Sequence, residues 1–244
     1  MSNRAPRMIF EAIKGFHNSN LDESATRVSQ SNAYRDLSTV CVIPSRGMVS
    51  VRVVMAWFNL MNPMNQKFTR VTAEGFEIGA GYSEVFEQIV NHEELRKWQY
   101  ILTLEDDVAP PPDGLLKLYE SITKYDVVSG LYWTKGEGGM PMIYGDPNKA
   151  EVEFTPQIPK VDQVQPARGL GMGFNLFKME LFRDQRLQKP WFKTLQSSGK
   201  DGQGTAAMTQ DLFFYKQAGE LGYKFACDTR VKCGHYDHES GKFW

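Results

Sequence analysis

The hydrophobic pattern of the chain predicts strands that alternate with helices. Short apolar runs indicate buried strands, whereas apolar positions that recur every three or four residues indicate amphipathic helices. From residue 40 onward the predicted elements are strand 40–43, helix 49–61, strand 68–73, helix 82–95, strand 100–104, a helix that begins near residue 113, and strand 127–133. Because strands and helices alternate over this stretch, we expect an α/β fold with a mostly parallel sheet flanked by helices.

The pattern differs before and after this stretch. Five apolar residues near the start have the spacing of a short amphipathic helix: Met8, Ile9, Phe10, Ile13 and Phe16. Residues 135–165 contain short strands and Gly/Pro turns, and an amphipathic helix is predicted over 209–221. We therefore expect an N-terminal helical arm over residues 1–38 and one α/β domain over residues 39–244.

Composition narrows the class of protein. The 244 residues are 41% hydrophobic and 23% charged, which is ordinary for a globular protein, and the net charge of −1 predicts no strong non-specific binding to nucleic acid. Three cysteines without C-x-x-C spacing argue against a disulfide framework or a structural zinc site. No apolar run approaches the about 20 residues of a transmembrane helix, and the polar start lacks a signal-peptide core. We expect a soluble, cytoplasmic protein.

The strongest chemical signal is the acidic triplet Glu105, Asp106 and Asp107, which directly follows the apolar strand 100–104. Three adjacent carboxylates cannot all be buried without a cation, because desolvation and mutual repulsion would force protonation. Ligands of parallel α/β sheets bind at the carboxyl ends of the strands, and Mg²⁺ and Mn²⁺ prefer carboxylate and phosphate oxygens. The triplet indicates a divalent metal site, with a solvated acidic turn as the alternative.

Two single residues near the end of the chain could also take part in chemistry. His235 lies in a short apolar segment, where it is either a metal ligand or a structural histidine. Asp211 opens the predicted helix 209–221, where it is either a general base or an acid favoured by capping and by the helix dipole. The glycine-rich segment 169–174 predicts a tight turn that lines a pocket, since it does not open a strand–helix–strand unit as a phosphate loop would.

In their order along the chain, these segments resemble the GT-A-fold glycosyltransferases, and especially their family 2-like members. Val-Ile-Pro-Ser-Arg-Gly at 42–47 resembles the first nucleotide-binding strand and loop, Glu105-Asp106-Asp107 the Asp-X-Asp motif, Gln210-Asp211 the acidic pair before the last helix, and Gly234-His235 the C-terminal metal-binding histidine. The acidic pair is often Glu-Asp in that family. Here Gln210 leaves Asp211 as the base.

The resemblance implies a Rossmann-like GT-A sheet with a smaller antiparallel sheet on the acceptor side. It also implies a metal-dependent, inverting glycosyltransferase, in which Asp107 and His235 hold Mn²⁺ or Mg²⁺ and Asp211 deprotonates an acceptor hydroxyl. The donor would be a nucleotide-sugar, most simply a UDP-sugar, bound by Pro44, Ser45, Arg46, Glu105, Asp106 and Trp133. The sugar and the acceptor, whether a glycan, a protein or modified DNA, stay open.

Two alternatives remain, one that differs in the reaction and one that differs in the acceptor. A nucleotidyltransferase would also combine them with a divalent ion, but it normally needs a basic, glycine-rich phosphate loop, and Ser45-Arg46-Gly47 is short for that role. A glycosyltransferase acting on hydroxylated bases in DNA would need a nucleic-acid surface. The segment 183–200 has basic residues around Trp191 and Phe192, a mixture suited to such a surface or to any acceptor loop.

Overall fold

The computed structural model describes residues 7–10, 35–148, 154–198 and 205–244. In chain order these form β1 (Arg7–Phe10), β2 (Thr39–Ser45), α1 (Val51–Asn59), β3 (Phe68–Glu74), α2 (Ile78–Asn91), β4 (Tyr100–Leu104), β5 (Val108–Ala109), α3 (Gly114–Ser121), β6 (Val127–Leu131), β7 (Ile143–Tyr144), β8 (Val164–Ala167), β9 (Gly169–Leu170), β10 (Phe174–Lys178), β11 (Leu195–Ser198), β12 (Thr205–Met208), α4 (Gln210–Glu220), β13 (Phe225–Lys232) and β14 (Gly234–His235). Short 3-10 turns follow α2, α3 and β10.

The central sheet has eight strands in the order β1-β3-β2-β4-β10-β6-β13-β8. Strands β3, β2, β4, β6 and β13 run in one direction, and β1, β10 and β8 run in the other. The predicted mostly parallel α/β sheet is therefore confirmed. The unexpected member is β10, which begins where the glycine-rich segment 169–174 ends. It lies between β4 and β6 and is antiparallel to both.

The N-terminal segment differs from the expected helix. Arg7–Phe10 is an edge strand that pairs with β3, from Arg7 opposite Glu74 to Phe10 opposite Val71. The helical prediction was wrong over these four residues, because pairing along β3 satisfies backbone groups that a helix would have satisfied internally. Residues 11–34 lie outside the described residues, and the division into an arm over 1–38 and a domain over 39–244 stays a prediction.

The predicted smaller antiparallel part is present as three separate two-stranded ribbons, β7–β9, β11–β12 and β5–β14. In the last ribbon Val108 is paired with His235, so the C-terminal segment lies beside the end of β4. Among the residues that the structure describes, no helix combines the length and the apolar character needed to cross a bilayer.

Each face of the sheet is covered by a separate apolar core. The core under α2 and α4 is rich in aromatic rings, and Phe192 stacks on Phe214 with 4.8 Å between ring centroids. Trp191 and Phe192 are 2% and 1% exposed. Both rings therefore belong to the core, and they are not available for the nucleic-acid or acceptor surface that the composition of this segment suggested.

Candidate active site

The acidic triplet forms a fixed turn at the carboxyl end of β4. The Glu105 N–H donates to the Gly173 carbonyl at 3.0 Å, and the Val108 N–H donates to the Glu105 carbonyl at 3.0 Å. Gly173 has no room for a side chain, because a Cβ there would lie 2.8 Å from Tyr132 and Val108. The glycine-rich segment therefore supports the acidic turn from behind.

Glu105 is held in its acidic form. Its pKa is raised to about 8, mainly by burial and further by the negative charges of Asp107 and Asp211. A hydrogen bond from Tyr82 acts in the opposite direction and lowers the pKa. The Tyr82 hydroxyl donates to Glu105 Oε1 at 3.1 Å. At neutral pH Glu105 is therefore mostly a neutral carboxyl group, which can donate a hydrogen bond as well as accept one.

Asp106 holds the loop after β2 against the turn. Its side chain accepts a hydrogen bond from the Arg46 backbone N–H at 3.1 Å, and the Arg46 guanidinium lies 3.5 Å from its other oxygen. Asp106 is 6% exposed. A nearly buried carboxylate thus positions the carboxyl end of β2 and the loop that follows it.

Asp107 has basic side chains around it. Lys135 Nζ lies 2.6 Å from Oδ2, His235 Nε2 lies 3.6 Å from Oδ1, and Arg46 lies 3.9 Å away. Burial alone would raise the pKa of Asp107, but the contacts with His235 and Lys135 lower it to about 2. Asp107 is therefore ionised at neutral pH, with three basic side chains near its carboxylate. Lys135, two residues beyond Trp133, was missed by sequence reasoning because a single lysine after a strand has no distinctive pattern.

His235 points one ring nitrogen at this carboxylate. Its Nδ1 lies 2.7 Å from the Trp133 carbonyl, which can only accept, so Nδ1 carries a proton. Nε2 then faces Asp107 Oδ1: with a proton on this nitrogen the contact lowers the Asp107 pKa, and without one Nε2 presents a lone pair to the carboxylate. Two lone pairs at 3.6 Å need a proton or a cation between them, and a carbonyl that orients a histidine in this way is typical of metal-ligating histidines.

The donor set fits a divalent ion that is shared with a ligand. Among the described residues there is no group of three or more His, Cys, Asp or Glu side chains that could hold a metal. Asp107 and His235 are two side chains that could act as ligands. Mg²⁺ and related ions are commonly held by one or two protein carboxylates and complete their shell with water and substrate phosphates. A site of this kind gains its ion together with a phosphate-bearing ligand.

Asp211 lies at the start of α4, on the same side as the acidic turn. It is 5% exposed, and burial raises its pKa. Its Oδ1 accepts the Leu212 N–H at 2.8 Å, while Thr209 occupies the N-cap position. The side chain thus bonds a free N–H of the first turn, as the capping alternative predicts, and it is also close enough to Glu105 to raise that group's pKa.

A cavity of about 370 Å³ opens beside the triplet. Its lining includes Pro44, Ser45 and Arg46, the predicted donor residues at the carboxyl end of β2, which we call the β2 loop, together with all three acidic residues. Phe76, Glu77 and Ile78 also line it and were missed. They follow β3, whose carboxyl end lies beside that of β2, so the position of β3 in a parallel sheet is the signal that could have found them. Trp133 lies beside His235 and contributes its carbonyl.

Two basic side chains near residue 190 form ion pairs with neighbouring acidic residues. Arg186 lies 2.7 Å from Asp184, and Lys189 lies 2.6 Å from Glu87. With the neighbouring rings in the core, the described part of 183–200 does not form the basic and aromatic surface that the sequence suggested. Residues 199 and 200 lie outside the described residues.

Comparison with known proteins shows the fold alone. No family model and no curated protein sequence matches the chain. The structure of A197 from STIV is 17% identical, with 84% of this chain and 92% of that one covered and a TM-score of 0.58. GalNAc-T7 with UDP, GalNAc and Mn²⁺ is 10% identical, with a TM-score of 0.51. That match covers 82% of this chain but 44% of GalNAc-T7. The chain has a GT-A-like fold, as its motifs suggested.

Proposed function

We propose that the protein is a metal-dependent glycosyltransferase, which moves a sugar from a UDP-sugar to an acceptor hydroxyl. The observation that carries the proposal is the pairing of Asp107 with His235 at the edge of the cavity lined by the β2 loop. A nucleoside diphosphate would place its diphosphate at this pair and its nucleoside in the cavity. The fold likeness to GalNAc-T7, whose structure holds UDP, GalNAc and Mn²⁺, supports UDP and Mn²⁺ as the first pair to test.

The nucleoside part of the donor is assigned to the cavity. Pro44, Ser45 and Phe76 would surround the base and ribose, since base faces pack on apolar and aromatic side chains. Arg46 lies at the boundary between this cavity and the two aspartates, and its side chain is 72% exposed. A guanidinium in that place suits the diphosphate, which it can bind through two parallel hydrogen bonds.

Asp107 and His235 would hold the divalent ion, which when bound supplies Lewis-acid stabilisation of the diphosphate leaving group. Lys135 and Arg46 add positive charge on the same side. Neutral Glu105 can donate a hydrogen bond to a hydroxyl of the sugar or ribose. All of these groups stabilise negative charge where it develops or orient the group that leaves.

Asp211 would accept the proton of the acceptor hydroxyl. The acceptor oxygen forms a bond to the anomeric carbon as the bond from that carbon to the phosphate oxygen breaks, and the nucleoside diphosphate leaves with its electron pair. Attack on the face opposite the leaving group inverts the configuration. A buried carboxylate with a raised pKa is better matched to this proton transfer than a solvated one.

The deciding experiment measures UDP release from a panel of UDP-sugars, with glycans, proteins and hydroxylated DNA as separate acceptors. We expect release that EDTA abolishes and Mn²⁺ or Mg²⁺ restores. Asp107→Asn is expected to lose it, and Asp113→Asn, the same change in an exposed turn, is expected to keep it. Full turnover in EDTA would refute the metal assignment. Release of pyrophosphate from a nucleoside triphosphate in place of UDP would identify a nucleotidyltransferase.

A further inference from the structure

Helix α1 carries an exposed apolar surface that continues past both ends of the helix. Six large side chains between residues 48 and 64 are more than half exposed: Met48 (83%), Val51 (71%), Met55 (53%), Phe58 (78%), Met61 (52%) and Met64 (87%). We call these six residues the α1 apolar surface. The rest of the described chain exposes four large hydrophobic side chains, Met140, Ile158, Val161 and Leu195. Monomeric proteins rarely concentrate exposed apolar area in this way without a function for it.

The orientation of α1 is fixed by its other side. Val53 is fully buried, and the Trp57 indole N–H donates to the Val108 carbonyl at 2.9 Å. Val51, Met55 and Phe58 follow one another at spacings of four and three residues, so they share one face of the helix. Because the buried side anchors the helix, that face is presented to the outside as a rigid unit.

The stretch of sequence that contains this surface carries charges of one sign. From Arg46 to Ala73 there is no aspartate or glutamate, although the whole chain has 29 acidic residues and a net charge of −1. The same stretch contains four basic residues, Arg46, Arg52, Lys67 and Arg70. Arg46 lies beside Asp106 and Asp107, and Lys67 is paired with Glu94. The exposed Arg52, within α1 itself, donates to the Gly241 carbonyl at 2.7 Å and lies over the Phe243 ring, so its guanidinium is the positive charge that the helix presents beside its apolar face.

We propose that the α1 apolar surface docks the protein on an anionic lipid surface. An amphipathic helix of this kind buries its apolar face about 5–10 Å into the boundary between headgroups and acyl chains, and nearby basic residues add attraction to anionic lipids. A second copy of the chain is a poorer occupant. A two-fold contact would bring the same basic stretch of both copies together, and like charges would face each other.

Docking in this way would bring the cavity to the lipid surface. Met48 lies two residues beyond Arg46, which lines the cavity, and the α1 apolar surface begins at Met48. The proposal does not depend on the transferase assignment, because lipid binding needs neither donor nor metal. The two can therefore fail separately.

The test is sedimentation of the full chain with vesicles of phosphatidylcholine alone or mixed with phosphatidylglycerol. We expect binding to the mixed vesicles that weakens severalfold between 0.1 and 0.5 M NaCl. The double variant Val51→Ser/Phe58→Ser should lower the partition coefficient at least about tenfold, since each side chain loses most of its apolar transfer energy. Ile158→Ser/Val161→Ser, which removes equally exposed residues elsewhere, should bind as the parent does. Both variants should keep the parental melting temperature.

Three results would overturn the proposal. The first is the absence of parental binding to either vesicle, and the second is equal binding by the Val51→Ser/Phe58→Ser variant. The third is a parental dimer in light scattering that this variant converts to a monomer without any effect on vesicles, which would assign the surface to a second copy. Loss of vesicle binding with intact UDP release would leave the transferase proposal unaffected.

Discussion

Replacing Asp211 with asparagine separates a proton acceptor from a residue that merely begins a helix. The hydrogen bond from the Leu212 N–H to Oδ1 at 2.8 Å is available to an asparagine oxygen as well. The side chain is 5% exposed, and burial raises its pKa, so the ionised form is disfavoured in the folded state. The substitution therefore removes a buried charge while it keeps the shape and the contact with the backbone.

The expected sizes of the two effects differ enough to be told apart. A capping interaction contributes about 0.5–2 kcal/mol relative to alanine, and asparagine retains most of it. A general base contributes about 10²–10⁴-fold in rate, or roughly 2.7–5.4 kcal/mol of transition-state stabilisation. Asp211→Asn should thus keep or raise the melting temperature and lower UDP release at least about a hundredfold. UDP affinity in Mn²⁺ should stay near the parental value.

The raised pKa of Asp211 predicts how the stability difference between Asp211→Asn and the parent changes with pH. A carboxyl whose pKa is raised on folding destabilises the folded state where it is ionised, and this penalty disappears as the pH falls below its unfolded pKa. The variant has no such penalty. Its melting temperature relative to the parent should therefore be highest at neutral pH and should converge toward the parent near pH 4.

The assay compares three proteins in UDP release, UDP binding and thermal unfolding. Asp113→Asn serves as the matched control, because Asp113 precedes α3 and its contact with Lys117 at 2.7 Å lies on the surface. It should change the rate by less than twofold. If Asp211→Asn releases UDP at nearly the parental rate, Asp211 is a helix-start residue and the inverting mechanism needs another base.

Three further predictions concern the diphosphate, the metal and the packing behind the acidic turn. Lys135→Ala should weaken UDP binding about tenfold in titration calorimetry but leave uridine binding unchanged. The control Lys178→Ala, which breaks a remote ion pair, should affect neither ligand. An equal loss of affinity for uridine would exclude a phosphate contact of Lys135. EDTA should lower the affinity for UDP and leave that for uridine unchanged, and equal UDP affinity with and without EDTA would contradict the shared-ion site. Gly173→Ala should lower the free energy of unfolding by about 1–3 kcal/mol in urea titrations, because its Cβ would overlap Tyr132. Gly219→Ala lies within α4, and its Cβ would stand 3.7 Å from the Phe225 ring, so this change should raise the free energy of unfolding by up to about 1 kcal/mol. The opposite order of the two variants would refute the packing argument.

The hydrophobic pattern determined most elements of the sheet and its helices. The predicted strands 40–43, 68–73 and 100–104 are β2, β3 and β4, and the helices between them are present with ends shifted by a few residues. Periodicity succeeds here because it reports which side chains a regular element buries, and that is a local property. It also located the acidic triplet, since a buried run that stops at three carboxylates marks the end of a strand.

Where local pattern was ambiguous, tertiary context decided. Residues 8–10 have apolar side chains compatible with either a helix or a strand, and the free edge of β3 selects the strand. Trp191 and Phe192 lie among basic residues, a composition typical of an exposed contact surface, yet both rings are buried: Phe192 packs on Phe214 of α4, and Trp191 packs on Phe182. Composition does not distinguish an aromatic ring that binds a ligand from one that packs in a core.

Local sequence pattern therefore accounts for most element types, for the α/β class and for the position of the acidic triplet at the end of a strand. The tertiary structure alone decided which of those residues meet. Pairing of β5 with β14 brings His235 to Asp107, and the chain after β6 brings Lys135 to the other oxygen of the same carboxylate. Contacts of this kind depend on strand order and register, which are set by the packing of the whole sheet and leave no local periodicity to read.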